Sequence, residues 1–200
     1  MNHLETADIA KLLSDGGVGA ECCRHLAEHC SVCGQRLAEV EALMRRFRHW
    51  DAETVFREGP AADVLFEALL EKGKSPEGWA SLVENDAEYQ TWGVAWVALE
   101  GAQKLIAEDS TRTQARDLAL LAAKIAAHLN ASYHPDSIAD LKALAHATAA
   151  AAGAGAVADT VRQAAASLTA LDKGTGDPAL EAEVMGLLTR IFRKTAETKG

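Results

Sequence analysis

Apolar positions along this chain recur every three or four residues, the period of an α-helix buried on one face. Ile9, Leu12 and Leu13 set that spacing over residues 5–14, and Asp15-Gly16-Gly17 stops it. Residues 20–29 read as a second short helix. Residues 31–50 read as a third and longer one, with Leu37, Val40, Leu43, Met44 and Phe47 forming an amphipathic stripe. Arg45, Arg46 and Arg48 close it, where cations suit the negative end of a helix dipole. Gly59-Pro60 punctuates the next stretch, and residues 61–72 follow with Val64, Leu65, Ala68 and Leu69 on one side. Ser75-Pro76 then offers an N-cap followed by proline at the first helical position.

From residue 85 the pattern becomes a regular series. Asn85-Asp86-Ala87-Glu88 has the form of a capping box and opens a helix expected to run to about residue 109. Further helices are expected over 111–130, 136–152, 156–172 and 178–195, separated by His134-Pro135, by Gly153 and Gly155, and by Gly174-Thr175-Gly176. Residues 119–170 are alanine-rich, which lets neighbouring helices approach closely. Two helices per repeat give a period of about 42–49 residues, longer than the ~34 of a tetratricopeptide unit. No run alternates β-branched and aromatic residues with polar ones, so no strand is expected. The expected fold is all-α. A three-helix module covers 1–50, connector helices cover 51–84, and an antiparallel helical-hairpin array of tetratricopeptide-like form covers 85–200.

Composition narrows the function. The chain has 200 residues, 48% of them apolar, enough for a substantial core. Twenty Lys and Arg face 29 Asp and Glu, giving a net charge of −9. That balance argues against a general nucleic-acid binder or a membrane-surface protein, since phosphate contact needs a cationic face. No stretch approaches the ~18–20 apolar residues of a membrane span. Residues 1–13 carry acids and no apolar core, unlike a secretion signal. The expected location is the cytoplasm.

The four cysteines change the picture most. Cys22, Cys23, Cys30 and Cys33 lie within twelve residues, and none follows. A disulfide framework spreads its staples along a chain, whereas a tight cluster reads as metal binding or redox chemistry. Cys30 and Cys33 form a Cys-x2-Cys pair, a spacing that lets one turn present two thiolates to one ion. His25, five residues earlier, adds an imidazole. A structural Zn²⁺ takes four such ligands in a tetrahedron at about 2.0–2.3 Å. His3 is the first choice for the fourth, with Cys22, Cys23 and His29 as competitors. Two thiolates and two imidazoles also suit iron.

The string His25-Leu26-Ala27-Glu28-His29-Cys30-Ser31-Val32-Cys33 resembles the zinc-binding anti-sigma factor domain. That family's hallmark is a histidine, a short helical gap and Cys-x2-Cys, with an earlier His or Cys as fourth ligand. The gap here is four residues where three is usual. The four-residue form resembles a branch in bacterial multi-domain proteins in which tetratricopeptide-like helices follow the zinc module. Thr91-Trp92-Gly93-Val94 and the segment from Lys173 to Pro178 also resemble that branch. The resemblance implies zinc held by His3, His25, Cys30 and Cys33. It also implies a protein partner, a sigma factor in the family's best-known form, whose polymerase-binding surface is covered. The stripe Leu37, Val40, Met44 and Phe47 is then expected to lie either on its own module or in the partner's groove.

Other signals are weaker. Gly153-Ala154-Gly155-Ala156-Val157-Ala158 fits a dinucleotide-binding pattern by letter but joins two helices, so it reads as a turn. Trp79, Trp92 and Trp96 read as core anchors, and His128, His134 and His146 as surface or capping residues. No nucleophile triad, phosphate loop or carboxylate pair points to an enzyme. Two rival functions remain open at this level: a thiol redox sensor that releases zinc on oxidation, and a scaffold subunit of a signalling or defence assembly in which zinc is purely structural.

Overall fold

Helical periodicity becomes helix throughout the computed structural model, which describes residues 5, 8, 9, 13, 28–47, 52–108 and 111–197. Among these residues there are eight α-helices, one 3-10 turn and no strand. The helices are α1 (Ser31–Arg46), α2 (Ala52–Gly73), α3 (Pro76–Asn85), α4 (Trp92–Ala107), α5 (Arg112–His128), α6 (Pro135–Ala152), α7 (Val157–Leu171) and α8 (Pro178–Glu197). No helix among the described residues is long and apolar enough to cross a membrane. The chain divides into two units, Met1–Ala61 and Ala62–Gly200, and the division falls within α2. The helices expected over 5–14 and 20–29 lie almost wholly outside the described residues.

In the amino-terminal unit, Ile9, Leu37 and Val40 are buried together, and Leu13, Met44 and Phe56 pack against them. Here the structure departs from the expected punctuation. α2 begins nine residues earlier than the apolar pattern suggested and runs straight through Gly59-Pro60. Pro60 removes one helical hydrogen bond. The glycine before it serves packing: a Cβ on Gly59 would stand 2.9 Å from Phe47 Cε2, and Phe47 is fully buried.

The second unit is built by sequential packing. α4 lies on α5, α5 on α6 and α6 on α7, while α3 packs on α5. α8 turns back and packs chiefly on α6 rather than on α7. α6 therefore touches α4, α5, α7 and α8. Small side chains permit this: Ala143, Ala147 and Ala150 on α6, and Ala115, Ala119 and Ala122 on α5, are fully buried. Trp92 and Trp96 anchor α4, buried with ring centroids 5.8 Å apart. Trp79 is half-buried against the core around Ala102 and Leu118, and its indole Nε1 donates to the Leu70 carbonyl at 3.3 Å.

Side-chain caps fix the starts of α3, the 3-10 turn and α4. Ser75 Oγ accepts from the Gly78 amide at 3.2 Å, as the Ser-Pro signal implies. The capping box at residues 85–88 opens only a 3-10 turn, Ala87–Tyr89, because Asp86 Oδ1 accepts from the Glu88 amide two residues on. Gln90 Nε2 then donates to the Val83 carbonyl, and Thr91 Oγ1 caps α4 by accepting from the Val94 amide at 3.3 Å. Gly153 ends α6 with φ of 62°, a left-handed position suited to glycine.

Two polar clasps tie loops to this frame. Asp140 on α6 is buried, and its carboxylate accepts from the Thr175 amide at 3.1 Å and from the Thr175 hydroxyl. Gly174 makes room for it, since a Cβ there would lie 1.9 Å from Asp140 Oδ1. At the start of α7, Asp159 accepts from Arg116 Nε of α5 at 3.0 Å and also pairs with Arg162. The Arg116 bond, first among its causes, holds the Asp159 carboxyl below the usual aspartate range.

Gly174→Ala is expected to cost about 2–4 kcal/mol by displacing the buried Asp140 carboxylate. Gly186→Ala, on exposed α8 where an added Cβ meets nothing within 4 Å, is expected to gain about 0.5–1 kcal/mol. Urea unfolding of both variants beside wild type checks the pair. The Asp159 clasp stabilises fully above the unfolded aspartate value of about 3.9 and is lost as pH falls through the lower folded value. Arg116→Met reduces that difference and leaves only the Arg162 contribution, so its stability is expected to fall less steeply than wild type between about pH 5 and pH 3.

Candidate functional site

α1 starts where the Cys-x2-Cys pair lies. Cys30 is the N-cap residue, with extended φ and ψ of −144° and 111°. Its carbonyl accepts from the Gly34 amide at 2.8 Å, the first bond of the helix. Cys33 sits one turn on and is only 5% exposed, while Cys30 is half-buried. Residues three apart at a helix start share a face, so the backbone brings both thiols to the amino-terminal turn of α1. No acidic residue occupies that turn. The N–H groups there and the positive end of the helix dipole favour negative charge, which thiolate ligands carry. The donor set of this turn therefore fits a thiophilic cation such as Zn²⁺.

His29 is described and exposed, immediately before Cys30. His3, Cys22, Cys23 and His25 lie outside the described residues. Among the described residues no group of three or more His, Cys, Asp and Glu is placed to hold a metal. The structure thus places two of the four expected ligands, both on one turn.

The apolar stripe of α1 is used within its own unit. Leu37 and Val40 are buried with Ile9, Met44 is half-buried against them, and Phe47 is enclosed. The basic end of the helix is engaged locally. Arg46 lies over the Phe47 ring, 4.9 Å from its centroid, and Arg45 reaches Glu41 at 3.9 Å.

A second concave feature escaped the sequence. Between α6 and α7 lies an open groove of about 550 Å³, lined by Ile138, Lys142, His146, Thr169 and Lys173 among others. His146 Nδ1 is 2.8 Å from Oε1 of Gln163, which is 8% exposed. The sequence reading of His146 as a surface or capping residue holds only in part. Gln163 and Ser167 lie four apart and so share a face of α7; Ser167 is also buried and donates to the Ala143 carbonyl at 2.7 Å. The other histidines match the expectation: His128 Nδ1 is 2.9 Å from the Lys124 carbonyl, and exposed His134 is 3.7 Å from Asp136.

Comparison with protein-family models, with curated proteins and with solved structures returns no match to this chain.

Because Leu37 is interior to its unit, Leu37→Ala is expected to lower the stability of the amino-terminal unit by about 2–4 kcal/mol. Hydrogen exchange of α1 amides checks this, since a side chain that served only to touch a partner would leave protection unchanged.

Proposed function

We propose that this chain is a non-enzymatic, protein-binding regulator whose amino-terminal helices are stapled by one Zn²⁺. Cys30 and Cys33 supply two thiolates, His25 supplies an imidazole, and His3 completes the tetrahedron. The observation that carries this reading is the pair of thiols on the first turn of α1, one of them buried beside the core of the unit. A small unit gains little from burial alone, and its buried apolar residues among those described are Ile9, Cys33, Leu37, Val40, Phe47 and Val55. Zinc contributes apparent binding energy on the order of 10 kcal/mol, much of it felt as folding.

The function follows the family that the motif resembles: a zinc-bearing helical module covers a protein partner, a sigma factor in the first instance. With Leu37, Val40 and Phe47 turned inward, contact with that partner falls to the outward side of α1. A tetratricopeptide-like role for α4–α8 as a second interaction body is part of the same proposal. It draws support from the consecutive packing of α4, α5, α6 and α7.

Elemental analysis of the purified full chain is expected to give one zinc per molecule. Cys33→Ser and His25→Ala are each expected to lower zinc affinity by at least about tenfold and to abolish α1 hydrogen-exchange protection on chelation. Zinc-free wild type with α1 fully protected would overturn the staple. Co-purification from a bacterial cytosol without any stoichiometric sigma factor would overturn the choice of partner.

A further inference from the structure

α7 is turned the wrong way for a helix of a water-soluble unit. Its fully enclosed side chains are polar, Gln163 and Ser167, and both are bonded to α6. Three of its four large apolar side chains face outward: Val157 is 72% exposed, Val161 62% and Leu168 47%, while Leu171 is half-buried. These three, with Ala165 between the last two, form a continuous stripe at i, i+4, i+8 and i+11 along one side of the helix.

The ends of α7 differ: Asp159 in the first turn suits the positive end of the dipole, but neither end has a favourable cap. Its N-cap is Ala156, which has no side chain able to accept from the first amides. Its C-cap is Asp172, an exposed carboxylate set against the negative end of its own dipole. One arrangement relieves all three deficits together. If a second α7 lies antiparallel on the first, Val161 falls opposite the partner's Leu168 and Ala164 falls opposite the partner's Ala165. In that same register Val157 and the uncapped amino end fall opposite the partner's Asp172. Large meets large, small meets small at the two-fold axis, and each carboxylate reaches the amides that lack a cap.

We propose that the exposed face of α7 is a self-association surface, on which two copies of this chain pair through antiparallel α7 helices. Fifteen residues make a helix of about 22 Å. A pair of that length buries well under the ~800 Å² per partner of a standard interface. The dimer is therefore concentration-dependent, with dissociation in the tens to hundreds of micromolar, on the order of weak transient complexes. The proposal does not depend on the zinc staple, since every residue it uses lies in the carboxy-terminal unit.

Sedimentation equilibrium of the full chain from about 10 µM to 1 mM spans that range. A reversible monomer–dimer equilibrium is expected. Val161→Glu and Leu168→Glu are each expected to raise the dissociation constant by at least about tenfold, and Asp172→Asn by about two- to fivefold with a weaker salt dependence. The altered side chains are exposed, so circular dichroism is expected to match wild type. A chain that stays monomeric up to 1 mM, or a dimer that both glutamate variants leave intact, would overturn the proposal and leave the stripe to a different protein.

Discussion

Helix α6 constrains everything around it. A helix in contact with four others has almost no solvent side, so its residues must be small, apolar or individually bonded. α6 obeys this. Ala143, Ala145, Ala147 and Ala150 are fully buried, and Thr148 returns its hydroxyl to the Leu144 carbonyl at 2.8 Å. Asp140 is spent on Thr175 and His146 on Gln163. The order of the surrounding helices follows from what α6 offers each of them. α5 meets alanine, α7 meets a carbonyl and an imidazole, and the loop before α8 meets a carboxylate.

Much of this was legible in the sequence because caps and glycines are local. Ser75-Pro76, Gly153 and Asp177-Pro178 act within a few residues, and the helix boundaries beside them fall within one or two positions of expectation. Errors arose where a distant side chain reinterpreted a local signal. Gly59-Pro60 looks like a break until Phe47 is seen lying against the glycine. The capping box at residues 85–88 looks like the start of a long helix until Gln90 bonds back to the Val83 carbonyl and stops the 3-10 turn. Nothing adjacent in sequence announces either partner. The candidate site was legible to the same depth. Cys-x2-Cys at a helix start is a local statement, and the structure places the pair there; His3 and His25, the other two residues of the expected set, lie outside the described residues.

The two units solve the problem of stability differently. The carboxy-terminal unit buries Trp92, Trp96, Tyr89 and many alanines, a core large enough to stand on packing. Among the described residues the amino-terminal unit buries Ile9, Cys33, Leu37, Val40, Phe47 and Val55, and the proposed zinc staple adds to that core.

In α7, the bonds that α6 offers at Ala143 and His146 select Ser167 and Gln163 for the interior, and the helix is rotated to make them. Rotation to satisfy two polar groups leaves Val157, Val161 and Leu168 in water. An unmet buried hydrogen bond costs about 1–3 kcal/mol, comparable to the gain from burying one such side chain. Internal packing alone therefore gives no strong preference between the two orientations. A second copy laid on the outer face shifts that balance toward the observed one, because the valines then lose their water without any loss of the bonds to α6.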